Sequence, residues 1–337
     1  MIKDITPLFV FFLIFTACES NPLDVDVSKI EVDLKFHRLD QDLFNAKNEQ
    51  ELSKINADYI NKGGELYEFY TIEMLRAGSP YDDSIGVYLN YFIQDSMMQI
   101  LNNNVQQHFG DFSSEKEQII DLFKHLKYHI PHAMLPTDVI VYNSTFANGI
   151  ISTPSRIGIG LEMYLGKDNE IIQKLPYPEY FKEKMSSDYL MADIAQSWLL
   201  NNVIEDQTSE DFLSNMIYTG KILYCVDALL PDTKDHKKIK YTALEYEWAQ
   251  VSEYNIWQHI IEQEWIYSKD IKLIVRYFNE GPETVGLEGS PARIGQFLGW
   301  KIIKSYMQKN PEVTILDLIA EKNQTKILKA YKPKEIN

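Results

Sequence analysis

Two histidines, His125 and His129, stand four residues apart in His125-Leu126-Lys127-Tyr128-His129, the spacing with which one helix face grips a zinc ion. A hydrolytic zinc helix also carries a glutamate beside its first histidine to act as general base, and here that place is Leu126. With His132 close behind, the segment could supply three imidazoles to a metal but no base beside a metal-bound water. His129 and His132 also flank a helix end at Pro131, where capping and surface roles compete for them. His259-Ile260-Ile261-Glu262-Gln263 resembles the inverted zinc signature, with glutamine in place of the second histidine. The chain contains no Gly-x-Ser-x-Gly nucleophile elbow and no Gly-x4-Gly-Lys-Ser/Thr phosphate loop. We therefore expect no cofactor, no catalytic residue and no metal centre; His125, His129 and His132 are the residues a metal would use. A carboxylate pair assembled only by folding, such as Glu162 with Asp193, would leave no local motif.

The other chemically pointed segment is Ser290-Pro291-Ala292-Arg293-Ile294-Gly295-Gln296-Phe297-Leu298-Gly299-Trp300. Ser290 is a good N-cap, and Pro291 fits the first helical position because that amide has no helical partner. Gly295 and Gly299 share one face, where missing side chains let another element come close; this serves internal packing or a partner surface. Arg293 would then lie in the first turn, against the helix dipole, so a compensating group is required. A buried carboxylate, Glu283 or Glu288, is the structural choice; a partner's carboxylate is the functional one. Arg293, Gly295 and Gly299 are thus the candidate partner or ligand contacts.

The elements that must position these residues are mostly helical. Ile30, Val32, Leu34 and Phe36 alternate with Glu31, Asp33, Lys35 and His37, which predicts a half-buried strand. Helical periodicity follows over 40–60, 65–76, 84–107 and 114–129, and Pro131 and Pro136 close that block. Val139–Tyr142, Gly149–Ile151 and Ile157–Tyr164 then predict three short strands in a small antiparallel sheet. Beyond Asp188 the pattern is helical at 188–203, 209–229, 241–250, 251–267, 270–278, 291–308 and 314–330. Helices on both sides of a central β segment predict an α+β fold, predominantly helical, with a small sheet flanked by helices.

The 337 residues carry a formal charge of −16, which repels phosphate backbones and argues against nucleic acid as a partner. Near the start, Leu8-Phe9-Val10-Phe11-Phe12-Leu13-Ile14-Phe15-Thr16-Ala17-Cys18 is an apolar run too short to span a bilayer, ending in small residues before a cysteine. This is the layout of a lipoprotein signal. Residues 1–17 are expected to be removed, and Cys18 to carry acyl chains of the palmitate class that tie the chain to a membrane. Residues 18–28 then form an acidic tether and residues 29–337 a single α+β ectodomain. With Cys18 acylated, Cys225 has no disulfide partner, and its apolar neighbours make it a small buried hydrophobe.

The cysteine-terminated leader, the strand leading into Glu162-Met163-Tyr164-Leu165-Gly166-Lys167-Asp168, the stretch Met216–Tyr224, the Ser290–Gly295 segment and Trp300 together resemble the gliding-motility lipoprotein GldB family. The resemblance runs from Cys18 to about Pro333. It implies a membrane-anchored cell-envelope lipoprotein, the outer membrane favoured, required for gliding. Its implied partners are other gliding-motility or secretion-apparatus envelope proteins. It further implies distant kinship with zinc-dependent peptidases whose signature helix follows such a strand, hence a degenerate zincin-like scaffold. The corresponding helix here is Asp188–Trp198, with Met191, Ile194, Ala195 and Trp198 inward and Asp193, Gln196 and Ser197, none of them histidine, on the other side. The leading expectation is a non-catalytic protein working through protein–protein contacts. Two alternatives stand beside it: a divergent zinc-dependent envelope hydrolase using His125 and His129, and an assembly or stability factor for other gliding components.

Overall fold

The computed structural model describes residues 21–205 and 211–335. Four short strands form one sheet: β1 (Lys35–Arg38), β2 (Asp138–Tyr142), β3 (Ile150–Ser152) and β4 (Arg156–Gly160), in the order β1-β2-β4-β3. The longer helices, numbered in chain order, are α1 (Leu39–Asn45), α2 (Glu49–Gly63), α3 (Ile85–Gln94), α4 (Ser96–Phe109), α5 (Ser113–His129), α6 (Leu190–Asn202), α7 (Phe212–Leu229), α8 (Ala243–Glu262), α9 (Ile271–Phe278) and α10 (Ile294–Lys309). The predominantly helical α+β class is as the sequence predicts.

The sheet is mixed, not antiparallel. β1 runs parallel to β2 and β2 parallel to β4, while only β3 is antiparallel, to β4. Between β1 and β2 the chain passes through α1 to α5, long enough for the crossover a parallel pair needs. After β2 it runs out to β3 and turns back, so that β4 inserts between the two. The alternation over 30–36 is present as half-buried Ile30, Val32, Leu34 and Phe36 against exposed Glu31, Asp33 and Lys35, His37 being half-buried as well, yet only Lys35–Arg38 joins the ladder.

The sheet separates two apolar clusters. Val139, Val141, Ile157 and Ile159 turn to the larger one, shared with α5, α6, α7 and α10; Ile140 and Tyr142 turn to a smaller one built on α1, α2 and α3. Each fully buried Val or Ile contributes roughly 1.5–3 kcal/mol, and the alternation fixes register because a one-residue slip would exchange the two faces. Gly158 admits the Tyr142 ring: a Cβ there would lie 2.6 Å from its Cε1 and Oη.

Local chemistry relocates several helix boundaries. The 84–107 segment breaks at Asp95, whose carboxylate accepts from the amides of Met97 and Met98 and starts α4. The two segments expected over 241–267 are instead one helix, α8, opened by a Thr242/Glu245 capping box. The expected 314–330 helix is two short ones, Ile315–Ala320 and Gln324–Leu328. The expected strand 157–164 ends at Gly160, and Leu161–Tyr164 coil into a 3₁₀ turn that carries Glu162 inward.

The 290s also differ. Ser290 does not cap: its hydroxyl accepts from the Thr284 amide at 3.1 Å, and Thr284 Oγ1 donates to the Pro291 carbonyl at 2.8 Å, closing a loop. The helix begins at Ile294, with Arg293 left-handed at φ 60° in the cap position.

Candidate functional site

Between the outer edge of β3 and α6 lies a cleft of about 400 Å³, with Ile150, Phe181 and Leu200 at its lips and Tyr164, Asp193 and Lys240 among its polar lining. The edge is defined by the ladder. Gly160 N–H donates to the Gly149 carbonyl at 2.8 Å and Thr153 N–H to the Arg156 carbonyl at 2.9 Å. Residues 149, 151 and 153 therefore turn their peptide groups toward β4, and the antiparallel alternation turns those of Ile150 and Ser152 outward. Ser152 is tied to α6 through Ser197, Oγ to Oγ 2.5 Å, and accepts from Asn201 at 3.2 Å. Ile150 is half-exposed at the open end.

α6 divides as its sequence predicts. Met191, Ile194, Ala195 and Trp198 are buried, Trp198 donating to the Met134 carbonyl at 3.0 Å, while Asp193, Gln196 and Ser197 line the cleft. Asp193 accepts from Tyr164 at 2.9 Å and pairs with Lys240 at 2.7 Å. Burial, followed by the Asp193 charge, pushes the Tyr164 phenol well above its ordinary range, so it acts as a hydrogen-bond donor and not as a base.

Arg293 sits one layer behind this pair. Its Nη2 donates to the carbonyls of Ile239 and Lys240, 2.8 and 3.3 Å, its Nε lies 3.1 Å from Glu280, and its guanidinium is 5.6 Å from the centre of the Tyr241 ring. The expected carboxylates Glu283 and Glu288 are not its partner; the left-handed turn at Arg293 aims the side chain at the 239–241 backbone instead. That backbone holds Lys240 at φ 59°, from which its ammonium reaches Asp193. Arg293, 5% exposed, thus supports the cleft from inside. Gly295 faces the Phe278 ring, and Gly299 faces the backbone of Met216, so both are covered by the chain itself.

Glu162 and Asp193 have separate partners and do not form a carboxylate pair. Glu162 is fully buried, and its Oε1 accepts from the amides of Ser144 and Phe146, 2.7 and 3.1 Å, and from the Ser144 hydroxyl. It thereby holds a loop in which Thr145 and Phe146 are both left-handed, φ 55° and 62°, at a cost of roughly 1–3 kcal/mol each. That loop leads directly into β3. Among the described residues its other oxygen has no hydrogen-bond partner, nor do the buried hydroxyls of Tyr70 and Tyr142. Burial raises the Glu162 carboxyl from 4.5 to about 7, against the opposing hydrogen bonds from Ser144 and Phe146.

A pH signature follows. Between about 4.5 and 7 the folded state holds a proton on Glu162 that the unfolded chain releases, so stability falls as pH rises through that interval, by roughly 3 kcal/mol in all. Glu162→Gln keeps an acceptor for the Ser144 and Phe146 amides and removes the titration. Denaturant unfolding at about pH 5 and about pH 8 is expected to show a flatter dependence for this variant than for the parent. Parallel slopes in the two proteins would refute the assignment.

The three candidate histidines are placed apart in character. His125 is buried with Nδ1 3.1 Å from the Asp121 carbonyl, His129 is half-buried with its ring centre 6.5 Å from that of His125, and His132 is exposed. Among the described residues, no three His, Cys, Asp or Glu side chains are grouped to hold a metal ion. His259 packs edge-on against Trp265, ring centres 5.0 Å apart. Cys225 is buried, and burial pushes its thiol up to about 12. Cys18 lies outside the described residues. Sequence reasoning missed Lys240 and Tyr164 as cleft residues and Glu162 as the holder of the 144–146 loop; no local motif marks them.

Among the described residues no helix is long and apolar enough to cross a membrane. Searches of curated proteins and of solved structures find no match to the chain. Residues 20–333 match the family model described as gliding motility protein GldB, and the chain belongs to that family.

Proposed function

We propose that this gliding-motility protein is a lipid-anchored component of the cell envelope, acting without catalysis by holding an extended segment of another gliding or secretion component along β3. Strand addition uses main-chain hydrogen bonds for affinity and pockets for alternate side chains for selectivity. The carrying observation is the outward side of Ile150, which no backbone group among the described residues pairs, beside a cleft lipped by Phe181, 38% exposed, and Leu200, 45% exposed. An edge with unpaired peptide groups is a template for pairing with another chain unless it is blunted. Here α6 blunts only the Ser152 end. In the floor, Lys240 neutralises Asp193 and Tyr164 donates to it, so the polar groups hold each other in place. Anchoring is assigned to acyl chains on Cys18, which would set the ectodomain beside a membrane surface.

Ile150→Pro tests the reading. Proline removes the outward amide, leaves the β4 ladder intact and is tolerated on an edge strand. The variant is expected to melt within a few degrees of the parent while cells carrying it stop gliding and lose a partner crosslink from the cleft. Normal gliding with this variant would show that the edge is not used.

A further inference from the structure

A larger cavity, about 980 Å³, lies elsewhere, where α7, α10 and the 311–315 turn meet the leading segment 21–25. Its size is at the upper end for pockets that enclose a ligand. Leu23, Val25, Tyr224, Met307, Val313 and Ile315 give it a broad apolar wall. At one end stand four charges, and they answer one another: Lys238 is 2.9 Å from Asp227 and 3.5 Å from Asp235, and Lys304 is 3.3 Å from Asp227 and 2.8 Å from Asp235. Two anions and two cations compensate one another at that end, and the one further charge on the lining, the exposed carboxylate of Glu312, repels an anionic ligand. His129 on the wall is held toward its neutral form by burial. The chemistry therefore suits an apolar occupant.

The chain itself supplies one. Asn21 forms part of the wall and is held there, its side-chain amide Nδ2 donating to the Pro231 carbonyl at 3.3 Å while its Oδ1 accepts from the Leu23 amide at 3.1 Å. Cys18 is three residues earlier, within roughly 11 Å of fully extended chain. We infer that the cavity houses an acyl chain carried by Cys18, so that the mature protein can withdraw part of its own anchor from the membrane. This rests on the anchoring assigned above. Withdrawing one chain leaves fewer to hold the membrane, and a single chain gives only marginal, reversible attachment. The protein would then exchange between a firmly held and a loosely held state, its leading segment serving both as tether and as cavity wall.

The test compares full chain purified with its lipid against Cys18→Ser protein made without it, using the uncharged methyl ester of dansyl-labelled undecanoic acid as a fluorescent probe of the cavity. Mass spectrometry of the first preparation checks acylation separately; an unmodified Cys18 there would overturn the anchoring itself. With acylation present, the expected result is saturable binding by the Cys18→Ser protein, competed by methyl palmitate, and binding at least about tenfold weaker by the acylated protein. Leu23→Asp, on a segment outside the helices, and Val313→Trp, which fills the space, are each expected to weaken the Cys18→Ser complex about tenfold. Equal probe binding by acylated and unacylated protein would mean that the cavity takes a foreign lipid and would overturn self-occupancy. No binding by either protein would overturn it as well.

Discussion

Gly299→Ala is expected to destabilise the protein by about 3 kcal/mol or more. A Cβ at Gly299 would lie 2.0 Å from the Met216 carbonyl oxygen, and one at Gly220 would lie 2.3 Å from the Gly299 carbonyl oxygen. Backbone meets backbone where α7 and α10 cross, so no side chain can rotate to make room. Alanine improves helix propensity by roughly 1 kcal/mol over glycine, which does not offset separating two helices at the centre of the larger core. Around the crossing sit Trp300, Leu298, Ile303 and Met216, all buried, and every one would have to shift. Thermal melts check this directly: a Gly299→Ala protein melting with the parent would mean that the helices pass farther apart. Gly295→Ala is expected to cost less, because its nearest neighbour is the rim of the Phe278 ring, at 2.7 Å, and a ring can tilt.

The second large effect is at Asp227, 3% exposed, which accepts from Lys238 at 2.9 Å and from the Trp300 indole at 2.7 Å, with Lys304 3.3 Å away. Burial raises its pKa despite the two lysines, a sign of how fully the carboxylate has left water. Asp227→Ala removes the main partner of Lys238, itself 3% exposed, and leaves the Trp300 N–H unpaired. The expected loss is about 3–5 kcal/mol. Asp227→Leu combined with Lys238→Met is expected to recover the part that comes from the unpaired lysine, because an apolar pair needs no charge compensation in that place, while the Trp300 N–H stays without its acceptor. Chemical denaturation of the two single variants and the double variant measures the coupling. Additive losses would show that the two charges do not depend on each other.

Part of the candidate site was legible and part was not, for separable reasons. The buried stripe of α6 follows from helical spacing, and so does the set Asp193, Gln196 and Ser197 that it leaves facing the cleft. What escaped was pairing at a distance. Lys240 reaches Asp193 across 47 positions of sequence. Arg293 reaches the 239–240 carbonyls across more than fifty. Ser290-Pro291 carries a good helix-start signal, yet Thr284 competes for the serine hydroxyl and wins, because the loop it closes is buried and its polar groups have no water. Three strands close in sequence suggested hairpins, and the order β2-β4-β3 became visible only once β4 was seen between its predecessors.

By itself the sequence determined the α+β class, the inward faces of the helices, the acidic surface and the glycines at which helices approach, since each depends on residue type and spacing along one element. Tertiary structure alone decided the parallel pairing of β1, β2 and β4, the open edge at Ile150, the burial of Glu162 and the closed circuit of Asp227, Lys238, Asp235 and Lys304. These depend on which distant segments come to share a volume from which water is excluded. Periodicity along a single segment carries no record of that choice.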